Sequence, residues 1–456
     1  MAEKRISIHG QWTNRTVFIL AATGSAVGLG NVWKFPYIAG ENGGGTFVLV
    51  YLLCIALIGI PIMMAEILIG RRGKQSPINT MTTLAKEEKR NPGWVWLGWM
   101  GVAAGFLILS YYSVIAGWAM SYVFRTAGGM FIGMTADGAN SIFSDLVSDP
   151  ERLLAWHTIF MVMTMIVVAR GVKKGLERAV TLLMPLLFGL LVLIVIYAMT
   201  TGYFMEGVKF LFTPGPIDGK AILIAMGHAF FTLSLGMGAI MVYGSYLSDE
   251  HSIAEASILI ALADTTVALL AGMAIFPIVF ANGLEPGSGP GLIFQTLPIA
   301  FGHMQGGTLV GVVFFTLLVF AAWTSAISLI EPAVAYLVEN KGVNRIYASV
   351  WIGGFTWFVG LGTVFSFNIW EDKTLTVPYL FENLTFFDTL DYLTANIMLP
   401  LGGLFIALFA AWVMRKESTQ HELKTYPVIY KVWRFLVRYI TPVAVIVVFL
   451  KAVGAI

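Results

Sequence analysis

GSAVGLGN, residues Gly24 to Asn31, falls inside the first long apolar stretch of the chain, where a membrane span would run as about 20 unbroken apolar residues. Three glycines, a serine and an asparagine there predict a break in the helix at mid-membrane. A bilayer tolerates unpaired peptide groups only where protein or an aqueous cavity satisfies them, so the break points to a ligand site rather than to lipid. A second such interruption, TLSLGMG at Thr232 to Gly238, lies in the sixth apolar segment. Two interrupted helices at matching places in two halves of a chain are the strongest sequence pointer to a secondary transporter's binding site.

The rest of the chain fits a polytopic membrane protein. Hydrophobic residues fill 57% of 456 positions and charged residues 12%, about half the ~25% usual in soluble domains. A net charge of +2 gives no reason to expect nucleic acid as a partner. The single cysteine, Cys54, rules out an internal disulfide and reads as packing. The first 16 residues are basic and amphipathic, and no small-residue cleavage site follows, so the first apolar segment is expected to stay as a span.

Apolar runs near 20 residues, separated by charged or Gly/Pro-rich segments, predict eleven spans. They lie near 15–38, 42–70, 94–125, 154–169, 177–200, 221–246, 253–281, 309–338, 345–366, 389–414 and 434–454. Basic residues crowd alternate loops: Lys4, Arg5 and Arg15; Arg71, Arg72, Lys74, Lys86, Lys89 and Arg90; Arg170, Lys173, Lys174 and Arg178; Arg415, Lys416, Lys424, Lys431 and Arg434. The positive-inside rule then puts the N-terminus in the cytoplasm and the C-terminus outside, in the plasma (bacterial inner) membrane. The breaks stand five spans apart, which predicts two five-span repeats of inverted orientation. The expected organisation is a cytoplasmic segment 1–14, a first repeat 15–200, a second repeat 221–414 and an additional span 434–454.

Three acidic residues lie within apolar spans: Glu66, Asp264 and Glu331. Each costs about 2.5 kcal/mol or more in a bilayer and needs a partner, an ion or a proton. Asp264 has Thr265 and Thr266 beside it but no cation nearby in sequence, so a bound metal ion and a neutral, hydrogen-bonded carboxyl are both open. Glu66 and Glu331 lie toward span ends, where a structural network beside a kink and a transport role are equally open. His228 reads as a hydrogen-bonded histidine of the bundle, because no second His or Cys stands at metal-ligand spacing. No phosphate-binding loop and no nucleophile elbow is present, so catalysis is not expected. Broken helices expose carbonyls, and AAWTSAIS adds the hydroxyls of Thr324 and Ser325, an oxygen set suited to a hard monovalent cation. Their alternative is bonding back to helix carbonyls four residues earlier. Half-helix ends offer N–H groups to a carboxylate and carbonyls to an ammonium, so a zwitterionic amino acid fits both, with Tyr111, Tyr112, Phe230 and Phe231 placed to cover it.

The motifs GSAVGLGNVWKFPYIAGENGGGTF, RGVKKGLERAVTLLMP, FFTLSLGMGAI and RYITP resemble the neurotransmitter:sodium symporter family, and among its members the bacterial leucine and multi-hydrophobic amino-acid transporters. The resemblance covers all eleven spans; most of that family has a twelfth. It implies the five-plus-five inverted fold, no enzymatic activity, no organic cofactor, and sodium-coupled symport of a hydrophobic amino acid by alternating access. It also implies two sodium sites. One would take Ala26, Asn31, Thr232 and Asp264, the last standing where the leucine transporter has Asn. The other would take Gly24, Val27, Ala321, Thr324 and Ser325. Asp264 would then supply the negative charge that many animal relatives obtain from chloride.

By the same resemblance the substrate pocket comprises Ala26, Leu29, Gly30, Ile108, Tyr112, Phe231, Thr232, Ser234, Met237, Ser325 and Leu329. No charged side chain lines it, and Met237, in place of Phe, favours a larger or more varied apolar side chain. Lys34 and Asp391 match the outer gate; Trp12, Tyr246 and Glu339 match the inner one, whose Arg aligns with His9, with Arg5 or Lys4 as substitutes. Gly175 and Pro185 match a motif that unwinds the fifth span. A sensor that binds an amino acid without moving it, and a proton-coupled transporter, are the competing readings.

Overall fold

The computed structural model describes residues 5–215, 219–284, 291–377 and 381–452. Among them, nine helices are long and apolar enough to cross a bilayer: Gly45–Gly73, Pro92–Ala127, Pro150–Ala169, Val172–Met199, Ile253–Ala281, Gly307–Lys341, Arg345–Ser366, Phe386–Val413 and Pro427–Lys451. These are spans 2 to 5 and 7 to 11. Span 1 is a bent pair, 1a (Arg15–Ala26) and 1b (Gly30–Glu41), turning by 52° at the break. Span 6 is likewise two short helices, 6a (Gly219–Thr232) and 6b (Ala239–Ser245). Both interruptions fall on the glycine-rich motifs. Lys4 and the last two residues expected in span 11 lie outside the described residues.

Span ends shift where capping chemistry extends a helix beyond its apolar run. Span 4 starts at Pro150 because the Asp149 side chain accepts from the amides of Glu151 and Arg152, satisfying donors that a helix start leaves open. Span 11 starts at Pro427, its first turns carrying Lys431 and Arg434 on an amphipathic helix. The loops add helices over Pro77–Glu87, Ala136–Val147, Phe204–Phe212, Leu292–His303 and Lys416–Leu423. The one sheet among the described residues is an antiparallel pair, Leu375–Val377 with Phe381–Leu384, in the segment before span 10.

Spans 1, 3, 6 and 8 meet at the centre. Spans 3 and 8 are the most closely associated helices, and Gly105 is the reason they approach: a Cβ there would lie 2.6 Å from the Leu329 carbonyl. Span 6b lies against span 2 in the same way, with Gly70 facing the Met241 carbonyl and Gly244 facing Ile67. Cys54 is buried and unpaired. At the start of span 5 the helix widens into a π-turn over Val172–Glu177, which contains Gly175, and Pro185 lies within the regular helix that follows. A side chain at Gly175 would collide with the Val167 carbonyl of span 4.

Candidate functional site

At the end of span 1a the backbone leaves the helix: Val27 is extended, at φ −69° and ψ 110°. Its carbonyl and those of Gly24 and Ser25 thereby lose helical partners and turn toward span 8. The Ser325 hydroxyl lies 3.0 Å from the Val27 oxygen, 3.2 Å from that of Ser25 and 3.3 Å from that of Gly24. One hydroxyl proton cannot serve three acceptors, so the group has more oxygen than hydrogen. Thr324 stands beside it, its hydroxyl 3.1 Å from both the Phe320 and Ala321 carbonyls, and a Cβ at Gly24 would lie 3.2 Å from the Thr324 Cβ. Thr324 therefore bonds back to its own helix, whereas Ser325 reaches across to span 1.

On the other side of the break the Gly28 amide donates to Asn31 Oδ1 at 3.0 Å and the Leu29 amide to the Tyr112 hydroxyl at 3.1 Å. Asn31 Nδ2 donates to Asp264 Oδ1 at 2.7 Å and to Thr232 Oγ1 at 3.0 Å. Thr232 in turn donates to the Asp264 carboxylate at 3.1 Å, and the Tyr51 hydroxyl stands 3.5 Å from it. Asp264 is fully buried and makes no ion pair among the described residues. The other two intramembrane carboxylates are accounted for differently. Glu66 accepts from the amides of Gly236 and Met241, at 3.1 and 3.3 Å, and so caps the start of span 6b, where open N–H groups favour an anion. Glu331 pairs with Arg345 and accepts from the Tyr246 hydroxyl at 2.8 Å. Asp264 alone has neither a cationic partner among the described residues nor a helix start to balance it, only neutral side-chain donors.

Between these two clusters lies a cavity of about 30 Å³. Ala26, Gly30, Ile108, Tyr112, Phe231, Ser234, Met237, Ser325 and Leu329 of the expected pocket line it. Leu29 and Thr232 do not; the first contributes its amide to Tyr112 and the second faces Asp264. Ser25 and Gly28 also line the cavity, and sequence reasoning missed both, although they sit in the middle of the decisive motif. Ser25 donates to the Ser328 hydroxyl at 2.7 Å, and its carbonyl accepts from Ser234 at 2.8 Å, tying spans 1, 6 and 8 together. Gly28 is required by space: a Cβ there would lie 2.6 Å from Ser325 Oγ and 2.7 Å from the Tyr112 hydroxyl oxygen.

The gate residues and His228 make contacts that their sequence positions did not indicate. Lys34 and Asp391 form no ion pair among the described residues. Lys34 instead lies 4.6 Å above the Phe231 ring, a cation–π contact, and Asp391 accepts from the Tyr111 hydroxyl at 3.3 Å. At the inner end Arg5 does not reach Glu339. It pairs with Glu87 at the end of the Pro77–Glu87 helix, while His9 Nε2 lies 3.1 Å from Glu339. Glu339 also accepts from Asn79 at 2.7 Å and from the amide and hydroxyl of Ser76. Trp12 and Tyr246 stand together at this end: the indole donates to the Tyr243 carbonyl at 3.0 Å and its ring lies 5.9 Å from that of Tyr246. Finally, neither ring nitrogen of His228 has a hydrogen-bond partner, because Phe35, Phe47 and Tyr51 surround it with rings.

A family model described as the sodium:neurotransmitter symporter family matches residues 9–130 and 149–456. An uncharacterized sodium-dependent transporter of Bacillus subtilis (strain 168), YhdH, is 39% identical over 450 residues, covering 97% of this chain and 98% of that protein. An uncharacterized sodium-dependent transporter of Haemophilus influenzae is 32% identical, covering 96% and 97%. Among solved structures, the crystal structure of MhsT in complex with L-phenylalanine superposes with a TM-score of 0.87 at 44% identity, covering 97% of this chain and 99% of that one.

Proposed function

The chain belongs to the sodium:neurotransmitter symporter family, and from that premise we propose that it carries a hydrophobic or aromatic L-amino acid across the membrane with sodium, by alternating access. The observation that carries this reading is Asp264: a fully buried carboxylate held by an amide and a hydroxyl, with no cation beside it among the described residues. An isolated buried charge is costly unless a counter-charge or ion joins it. Sodium, a hard cation, meets there a carboxylate, the Thr232 hydroxyl, the Ala26 carbonyl and the Asn31 amide turned to present its oxygen. A second sodium belongs where the Gly24, Val27 and Ala321 carbonyls meet Thr324 and Ser325, a cluster short of protons and therefore suited to a cation.

The substrate carboxylate is taken by the Tyr112 hydroxyl and the amides of Leu29 and Gly30. Its ammonium is taken by the carbonyls of Ala26, Phe231 and Thr232 with Ser234. Ile108, Met237 and Leu329 face its side chain, and the solved relative bound to L-phenylalanine supports an aromatic one. The cavity is small, so Phe231 and Met237 move aside on binding; Met is the adaptable partner. Because Asp264 supplies a fixed negative charge, transport needs no chloride. The basic loops favour a cytoplasmic N-terminus and an outer C-terminus, and with that orientation His9, Trp12, Tyr246 and Glu339 form the inner gate and Lys34, Asp391 and Phe231 the outer. Gly175 and Pro185 weaken span 5 beside the inner gate and provide its water path.

The test is uptake of a panel of labelled amino acids into proteoliposomes under inward sodium, potassium or proton gradients. Sodium-driven accumulation of phenylalanine, leucine or tryptophan is expected. Equal uptake driven by a proton gradient alone would remove sodium from the mechanism, and binding without counterflow would make the protein a sensor.

A further inference from the structure

Spans 4 and 9 enclose a groove of about 430 Å³ that has no part in the transport pathway described above. Its walls are Met161, Met165 and Ile166 from span 4 and Val350, Gly354 and Trp357 from span 9. It runs from Ile346 to Trp357 along span 9, 11 residue steps, or about 16 Å at the helical rise of 1.5 Å per residue. One leaflet of a bilayer core is about 15 Å deep, half of ~30 Å. The groove is thus one leaflet deep and begins at the membrane face that carries the basic loops. Glycines make it: Gly353 lets Met165 of span 4 close against span 9, and beside Gly354 nothing lies within 4 Å of where a Cβ would stand.

Polar groups mark its two ends. At the deep end the Trp357 indole donates to the Thr158 hydroxyl at 2.9 Å, and Thr158 donates to the Leu154 carbonyl at 2.7 Å, so both are satisfied. One turn in from the shallow end stands Ser349, 1% exposed, whose hydroxyl has no hydrogen-bond partner. A serine in a helix ordinarily bonds back to the carbonyl four residues earlier, and this one does not. Just after Ala169, which lines the shallow end, Arg170, Lys173, Lys174 and Arg178 are exposed and make no ion pair among the described residues. Arg345 is not available to a ligand in the same way, because Glu331 and the Val168 carbonyl already hold it.

We propose that this groove binds one anionic glycerophospholipid from the leaflet on the basic side. Its phosphate meets Arg170, Lys173 and Lys174, its ester carbonyl accepts from Ser349, and one acyl chain lies along Gly353 and Gly354 down to Trp357. The order of chemistries along the groove, cation, then lone hydroxyl, then apolar wall, is the order of headgroup, ester and chain in such a lipid. Basic pockets between helices on the cytoplasmic side recognise anionic headgroups on the same grounds.

The test is native mass spectrometry of the full-length protein, purified in mild detergent, with palmitoyl-oleoyl phosphatidylglycerol or phosphatidylcholine added. Retention of one phosphatidylglycerol per chain, well above phosphatidylcholine, is expected. Gly354→Leu, which fills the open space without a clash, loses most of the bound lipid. Lys173→Gln with Lys174→Gln leaves the packing untouched and cuts phosphatidylglycerol retention by about thirtyfold, given the usual attraction of a lysine near an anionic headgroup. Equal retention of the two lipids by the wild type overturns the proposal. So does wild-type retention in Gly354→Leu, or a lipid-free dimer, which would assign the face to a second copy of the chain.

Discussion

Replacing Asp264 by asparagine removes one charge and almost no volume, and so isolates what the carboxylate does. In the wild type the group is fully buried and receives Asn31 Nδ2 at 2.7 Å and Thr232 at 3.1 Å. Two unit charges ~4 Å apart attract by about 4 kcal/mol at an effective dielectric of 20. Part of that is offset by the desolvation both ions undergo, and charged hydrogen bonds retain about 1.5–3 kcal/mol net. At 1.4 kcal/mol per tenfold, sodium binding weakens by about 10- to 100-fold. The assay is a sodium titration of labelled phenylalanine uptake in proteoliposomes, in chloride and again in gluconate, with a thermal melt to show that the variant folds. The wild type should give the same half-saturating sodium in both anions. Asp264→Asn should need 10- to 100-fold more sodium in gluconate, partly restored by chloride. Full sodium affinity for the variant in gluconate would refute the charge-balance argument.

Gly28→Ala should leave the fold intact and abolish high-affinity substrate binding in a scintillation proximity assay, because a Cβ there meets Ser325 and Tyr112 at 2.6 and 2.7 Å; unchanged affinity would mean that the pocket is not where Tyr112 and Ser325 meet. His9→Ala removes a buried contact to Glu339, a loss of about 1–3 kcal/mol, and should raise cysteine labelling of the inner pathway, whereas His9→Arg should lower it; equal labelling in all three would discount this latch. Burial alone would raise the Glu88 carboxyl, but hydrogen bonds from Ser418 and from the Arg415 side chain and amide hold it below its ordinary 4.5. A lowered value means that the native state binds its proton later than the unfolded chain, so the stabilisation is complete above about pH 4.5 and fades as pH falls through the lowered value. Melting temperature in detergent should drop over that acid range, and Glu88→Gln should flatten the drop; identical pH profiles would show that the tie to Arg415 contributes nothing.

The spans were legible because a bilayer demands long apolar runs, and the breaks because glycine and asparagine inside such a run have no other ready explanation. Nine of the pocket residues follow from motif positions that fix backbone as much as side chain. What could not be read was pairing at long range. His9 and Glu339 are 330 residues apart, and nothing local separates a histidine latch from an arginine one four residues earlier. Lys34 could be matched to Asp391 by position, but a lysine beside an aromatic ring at the same depth has a second partner, and Phe231 takes it. The three intramembrane carboxylates looked alike in sequence; only packing distinguishes one that caps a helix, one that pairs with Arg345 and one held by neutral side chains alone. His228 shows the same limit, since its ring partners come from spans 1 and 2.

The cap that Glu66 places on span 6b also governs how the halves of span 6 can move. Its carboxylate holds the amides of Gly236 and Met241, while Gly70 and Gly244 press the two backbones together over the next turns. Sliding or peeling 6b from span 2 would strip a buried charge of its donors and open a seam with no side chains to fill it. Spans 2 and 6b therefore travel as a single lever. The joint to span 6a lies beyond that cap, at Leu233 to Leu235, where Ser234 adopts positive φ. With substrate bound as proposed, beside Ser234, the ligand would touch the pivot itself, and one of the wrong length would stall the lever at its fulcrum instead of at either gate.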